Sequence, residues 1–366
     1  MTMSKNRLFL FVAFCAICSG LLSGCLDEIS FDSSENQLEN LAIQGKLIKG
    51  TPSIVSVSIT RIAPFSGLDS PMPVETASAS LLDENENAVD LMASGPGLFQ
   101  LEIPEGQAGF AVQEGHAYRI RVVAGAGVVY ESELEPLLPV PHPVSMDIEL
   151  VSRDEINEAG NIVANPYLQF FINTPLSVAN SSQKSFLKWE TEGCYRFIET
   201  TPNSPAFPKT CYNKEAVNLG TVKIFNGPAN GSGSLSSRLL LVETNQDYRF
   251  SQGYYLTVYQ QSLSEGAFEY WDQARQIVER SGSFFEPAPG KIRGNIRNTD
   301  NPQEEVFGYF YATVQDTFRL RVRPEDAYYP SPFCLSSFAD GERNAVCYDC
   351  LLRPNSSLEK PDYWED

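Results

Sequence analysis

Cys25 is the residue whose chemistry is best defined by its neighbours. It follows Leu22-Ser23-Gly24, the end of an uncharged run of 15 residues, Leu8–Leu22, and the small pair after it; Lys5 and Arg7 precede that run. A basic start, an apolar core and small residues before a cysteine make a secretory signal of the lipoprotein type, cut so that Cys25 becomes the first residue and its sulfur carries lipid. The run falls short of the ~20 residues a helix needs to cross a bilayer, so it reads as a cleaved leader and not as an anchor. Acyl chains contribute about 0.8 kcal/mol per buried methylene, and more than one of them holds a protein stably at a membrane. From Cys25 onward the chain is expected to be soluble and tethered by lipid.

Loss of the leader decides which other thiols count. Of eight cysteines, Cys15 and Cys18 fall inside it, so their C-x-x-C spacing is no redox motif, and Cys25 is the lipid site. Cys194, Cys211, Cys334, Cys347 and Cys350 remain, in a compartment that permits disulfides, and an odd number leaves one thiol over. Cys194 and Cys211 each precede a tyrosine in strand-like segments joined by a Pro-rich excursion, which predicts a staple between neighbouring strands. A second bridge is expected from Cys334 to Cys347 or Cys350. Each closure is worth about 3 kcal/mol in the chain-entropy model. Cys347-Tyr348-Asp349-Cys350 has metal-ligand spacing, but a closed zinc site needs a second such pair or a nearby histidine, and neither is present. No metal and no cofactor is expected.

Catalytic arrangements are hard to assemble from the rest. His116 and His142 are the only histidines, one before a strand-like run and one among prolines, and both read as surface residues. The G-x-S-x-G, H-E-x-x-H, P-loop and Rossmann patterns are missing. A carboxylate-dependent hydrolase needs only two acids, but the presence of 46 does not single out a pair. The chain therefore reads as non-enzymatic. Asp83-Glu84-Asn85-Glu86-Asn87-Ala88 places oxygens at alternate positions as a calcium loop does; Ala88 in place of the turn glycine makes it a polar hairpin turn. Tyr254, Tyr255 and Tyr259 in one strand, and Tyr309, Phe310 and Tyr311 in another, either stack a sugar or peptide or fill a core. The formal charge of −19 becomes −21 without the leader, which holds two cations and no acids. Such a chain repels phosphate, so no nucleic-acid partner is expected, and the acid excess keeps a surface protein soluble.

The elements that must position these residues are mostly strands. Residues 25–39 are polar and read as a flexible tether. Residues 40–135 carry seven short strand-like runs punctuated by turns, which predicts an antiparallel β-sandwich of immunoglobulin-like or transthyretin-like build. Within it, Val55, Val57 and Ile59 share a core face, with Ser56, Ser58 and Thr60 on the other. Residues 136–144, with four prolines, form a stiff linker. Residues 145–366 make a larger β-rich domain with one amphipathic helix. Ser262-Leu263-Ser264-Glu265 reads as its capping box, Phe268, Trp271, Ala274 and Val278 recur at helical spacing, and Gly282 ends it. Trp271 is expected to face a sheet. Gly294 and Gly308, inside strand-like runs, mark a bulge or a close backbone approach, and Tyr363 and Trp364 are expected to pin the C-terminus.

Beyond Gly282 the motifs become recognisable: Ser283-Phe284-Phe285-Glu286-Pro287, Ile292-Arg293-Gly294-Asn295-Ile296, Val306-Phe307-Gly308-Tyr309-Phe310, Cys347-Tyr348-Asp349-Cys350-Leu351-Leu352-Arg353 and Lys360-Pro361-Asp362-Tyr363-Trp364. With Ala42-Ile43-Gln44-Gly45, Tyr118-Arg119-Ile120-Arg121-Val122 and Tyr130-Glu131-Ser132, this series resembles the Bacteroidetes lipoproteins grouped as domain of unknown function 4249. The chain departs from that pattern at Pro354-Asn355-Ser356-Ser357, where relatives tend to have glycines. The resemblance implies an outer-membrane location, on the periplasmic side or the cell surface, and an accessory or binding role beside a TonB-dependent transporter. Asp27 and Glu28 after Leu26 resemble the export signal of surface lipoproteins in that group. A surface adhesin or envelope scaffold is the alternative.

Overall fold

Strict alternation sets the first two strands. The computed structural model describes residues 41–61, 72–75, 77–200, 208–217, 221–231, 238–280, 292–334 and 344–365. Strands β1 (Leu41–Lys49) and β2 (Ser53–Arg61) pair antiparallel, with Ile43 opposite Ile59 and Leu47 opposite Val55. Ile43, Leu47, Val55, Val57 and Ile59 are at most 1% exposed, and burial of each such side chain stabilises by about 1.5–3 kcal/mol. Register then forces Gln44 opposite Ser58 and Lys46 opposite Ser56 on the other face.

The N-terminal part continues with β3 (Met72–Pro73), β4 (Ser78–Asp83), β5 (Ala88–Asp90), β6 (Met92–Gly95), β7 (Leu98–Ile103), β8 (Ala117–Ala124), β9 (Val128–Ser132) and β10 (Glu135–Pro136). Next come β11 (Ser145–Ile156), β12 (Ile162–Asn173), β13 (Phe186–Ile198), β14 (Thr210–Ala216), β15 (Lys223–Asn226), β16 (Leu239–Asn245) and β17 (Tyr254–Leu263). Helix α1 (Glu265–Arg280) follows, then β18 (Ile296–Asn298), β19 (Phe310–Val322) and β20 (Ser356–Ser357). The chain is mainly β, as its alternation predicts.

Among the described residues these strands form three sheets. One runs β20-β14-β13-β17-β19-β1-β2-β7-β6, with β15 beside β13 and β3 beside β2; the second runs β18-β9-β8-β4-β5, with β10 beside β8; the third is β11-β12-β16. The inner face of β1-β2-β7 packs on Tyr118, Ile120 and Val122 of β8 to make the first, sandwich-like core. A second core lies between the third sheet and β13-β17, around Leu168, Phe170, Leu187, Trp189, Leu256 and Val258.

The linker at 136–144 separates the two cores only on the first pass of the chain. Sequence reading places all of 145–366 in the second domain, yet β18 pairs with β9 and β19 runs parallel to β1, with Gly45 opposite Phe310. Ile296, Phe310 and Ala312 complete the first core, while Val322 at the far end of β19 belongs to the second. Long-range pairing of this kind leaves no local signal. The glycines behave as read: a Cβ on Gly308, at φ +100°, would lie 1.9 Å from the Ile43 carbonyl oxygen, and one on Gly294 2.0 Å from that of Gly308. The linker is also tied at both ends. Leu137 N donates to His116 O at 2.8 Å, Ser262 Oγ to Leu138 O and Gln260 Nε2 to Pro141 O.

The helix starts two residues later than the Ser262 box implies. Ser264 is the cap: its Oγ accepts from Ala267 N at 3.0 Å, while Ser262 remains in β17. Gly282 lies outside the described residues. Asn355 takes φ +56°, the conformation glycine adopts readily, so the departure from the family pattern is absorbed at one residue before β20 pairs with β14.

The disulfide reading needs correction. Cys194 does not bond Cys211; the bridges are Cys211–Cys350 and Cys334–Cys347, and Cys194 is a buried free thiol. The two cysteines do sit on neighbouring strands, but Cys194 pairs with Lys214 and Cys211 with Phe197. An offset of three residues puts their side chains on opposite faces of the sheet.

Candidate binding cleft

The outward face of the first strands meets the helix across a cleft of 320 Å³. Its floor is two rows set by register: Lys46, Ser56 and Gln100 across β1-β2-β7, and Gln44, Ser58 and Leu98 beside them. Its wall is aromatic. Tyr270 and Trp271 descend from α1, Tyr311 rises from β19, where Lys46 lies opposite it, and Tyr309 immediately precedes that strand. Ring centroids are 4.8 Å apart for Tyr270 and Tyr309 and 6.0 Å for Trp271 and Tyr311. The Trp271 Nε1 donor is buried without a hydrogen-bond partner among the described residues.

Alternation explains why β19 supplies this wall. Phe310 points into the first core, so Tyr309 and Tyr311 must point the other way, toward α1. Tyr309 and Tyr311 are 7% and 5% exposed and pack with Leu263 and Ala267 beneath α1, so they fill a small core while bordering one side of the cleft. Tyr254, by contrast, is fully buried in the second core, with its hydroxyl donating to Glu215 Oε1 at 3.0 Å, and Tyr255 packs on Trp364.

Three charges back the aromatic wall. Lys46 Nζ reaches Glu190 Oε2 at 3.0 Å, and Lys188 Nζ donates to the other oxygen of the same carboxylate. Lys188 Nζ also sits 4.6 Å from the centre of the Trp271 ring, a cation–π contact, with its side chain only 6% exposed. Burial opposes ionisation of Glu190, but Lys188 and Lys46 outweigh it and hold the carboxyl at about 2. Burial lowers the Lys188 ammonium, with Glu190 opposing. A fourth charge lies under the helix start. Glu135 is 5% exposed and accepts from Ser264 Oγ, Tyr309 OH and Asn295 Nδ2; burial raises its carboxyl despite those donors.

The remaining sequence candidates lie apart from the cleft. Leu22, Ser23, Gly24 and Cys25, the leader and the tether lie outside the described residues. His116 meets Glu84 at 2.8 Å and His142 meets Asp316, both on the surface. Asp83 caps the β4–β5 turn by accepting from Asn85 N and Asn87 N at 2.8 and 2.9 Å. Cys347 and Cys350 serve disulfides. Among the described residues no group of three or more His, Cys, Asp and Glu side chains could hold a metal. Trp364 is 5% exposed against Tyr212 and Tyr255, so it does anchor the C-terminus.

The cleft residues were visible singly. Ser56 and Ser58 show as an outward face, Trp271 as an inward one and Gln44 within a family motif, but Lys46, Gln100, Lys188 and Glu190 carry no motif. Only the return of β19 beside β1 joins them. Over residues 27–319 the chain matches the family model described as Domain of unknown function (DUF4249), and it belongs to that family. No curated protein matches it.

Proposed function

We propose that this family member is a lipid-anchored binding protein of the outer membrane, held through Cys25, that serves a TonB-dependent transporter as an accessory subunit. The binding role is carried by the cleft: a concave site in the size range of small-molecule pockets, ~300–1,000 Å³, with an aromatic wall and a hydrogen-bonding floor. Among the described residues its one charged lining side chain, Lys46, is already paired with Glu190, so they contact a ligand without presenting a free acid–base pair. Location is supported by the leader and Cys25, and the partner by the family resemblance. Two measurements test this. Mass spectrometry of the native protein should find a lipid-modified Cys25 at the N-terminus, and pull-down from detergent-solubilised membranes should recover a β-barrel transporter. An unmodified thiol or recovery of the bait alone would count against it.

A second reading, an adhesin or envelope scaffold, draws on the β11–β12 hairpin. Outward of Tyr167, where pairing with β16 ends, it carries Ile156 and Ile162 opposite each other at 76% and 73% exposed. An apolar tip on a projecting arm suits a protein contact. This reading predicts binding to matrix or peptidoglycan, and no uptake defect on deletion.

A further inference from the structure

We propose that the cleft between α1 and the β1-β2-β7 face takes an uncharged sugar ring, so that the ligand class of this protein is a neutral oligosaccharide. The inference rests on the reading of the chain as a binding protein and names what the cleft holds.

Charge is the first argument. The chain carries −19 overall, yet among the described residues no acid lines this cleft, and the one cation there is neutralised by Glu190 at 3.0 Å. An anionic ligand would find no free cation there, and a cationic one would find no free carboxylate. Hydrogen-bonding capacity is the second. Ser56, Ser58 and Ser94 each donate and accept, and so do the amides of Gln44 and Gln100. A sugar ring presents hydroxyls that also do both around its whole rim. Over β1-β2-β7 the floor is a sheet face whose backbone groups are already spent on the ladder, so strand addition by a peptide is closed to that part of it. Shape is the third. Tyr270 and Trp271, both half-buried on α1, stand beside a polar floor, and a sugar ring has an apolar C–H face for them and a hydroxyl rim for the floor. A volume of 320 Å³ suits one or two rings of a longer chain.

The test uses the full mature chain and named probes: maltohexaose, cellohexaose, xylohexaose, mannohexaose and laminarihexaose, with polygalacturonate and a proline-rich decapeptide as controls. Calorimetry and tryptophan fluorescence should find at least one neutral hexasaccharide binding with a Kd of about 10 μM to 1 mM. Gln100→Ala and Ser56→Ala, both at exposed floor positions, should each weaken it by roughly tenfold without changing Tm, and Trp271→Phe should abolish the fluorescence response while keeping the fold. Absence of binding by every neutral sugar, binding only of polygalacturonate or the peptide, or sugar binding indifferent to Gln100→Ala and Ser56→Ala would each overturn the proposal. Recovery of the transporter alongside such a result would leave the accessory role standing, so the two readings fail separately.

Discussion

Lys46 and Glu190, 144 residues apart, close an ion pair of 3.0 Å although β17 and β19 lie between their strands in the sheet. Lys188 binds the same carboxylate from β13, so two cations share one anion on the face that α1 covers. The pair joins the N-terminal strand to the central strand of the second core. Losing its single anion should therefore cost more than losing one of its cations.

Glu190→Gln leaves Lys188 buried and unpaired, and with a carboxylate 42% exposed the expected loss is about 1–3 kcal/mol. Lys188→Met keeps Glu190 paired with Lys46 and fills the space beside Trp271, so its stability should stay within about 1 kcal/mol of the parent. Urea denaturation of both variants decides this. Equal losses would refute the asymmetry.

Glu190 and Glu135 should bend the pH profile in opposite directions. The Glu190 carboxyl is depressed to about 2, so its contribution is present above the ordinary value of 4.5 and is lost as pH falls from there toward 2. The Glu135 carboxyl is raised by burial, so its contribution is present below 4.5 and is lost as pH climbs through the raised value. Glu135→Gln should flatten the decline of Tm above pH 5, and Glu190→Gln should flatten the decline below it. Unchanged profiles in both variants would contradict the assigned environments.

Non-reducing peptide maps should show Cys211 joined to Cys350 and Cys334 to Cys347, with Cys194 alkylated only after denaturation. The Cys211–Cys350 bridge spans 139 residues, and the chain-entropy model gives a closure of that length about 5 kcal/mol. Cys350→Ser should accordingly lower stability far more than Cys194→Ser. A Cys194–Cys211 peptide would reject the pairing.

Burial pushes the Cys194 thiol up to about 11, beneath a cluster of Tyr212, Tyr255 and Trp364. Trp364→Ala should open that cluster at a cost of about 3–5 kcal/mol and make the thiol react with Ellman's reagent under native conditions. An inert thiol in the variant would show that the C-terminus does not cover it.

Some of this was written locally. The period of two in Ile54–Thr60 is enough to assign core to Val55, Val57 and Ile59, since a strand's side chains alternate whatever its partner. Helix α1 is legible from the spacing of Phe268 and Trp271, but its start is misread by two residues, because Ser262 and Ser264 offer the same hydroxyl and only pairing with β13, where Ser262 lies opposite Leu187, keeps Ser262 in a strand. The five thiols predict disulfides, and of the partners read from them Cys334–Cys347 is formed while Cys194–Cys211 is not. Register decides those, and a shift of three residues between β13 and β14 turns Cys194 away from Cys211.

What the sequence by itself determined was a β-rich chain, its core faces, its glycine-dependent close approaches and its family. The tertiary structure alone decided that β19 returns beside β1, which builds one sheet through both cores and brings Tyr311 opposite Lys46. The physical reason is that alternation and propensity are properties of a few neighbouring residues. A cleft assembled from β1, β2, β7, β19 and α1 depends on pairings more than two hundred residues apart, which no local pattern encodes.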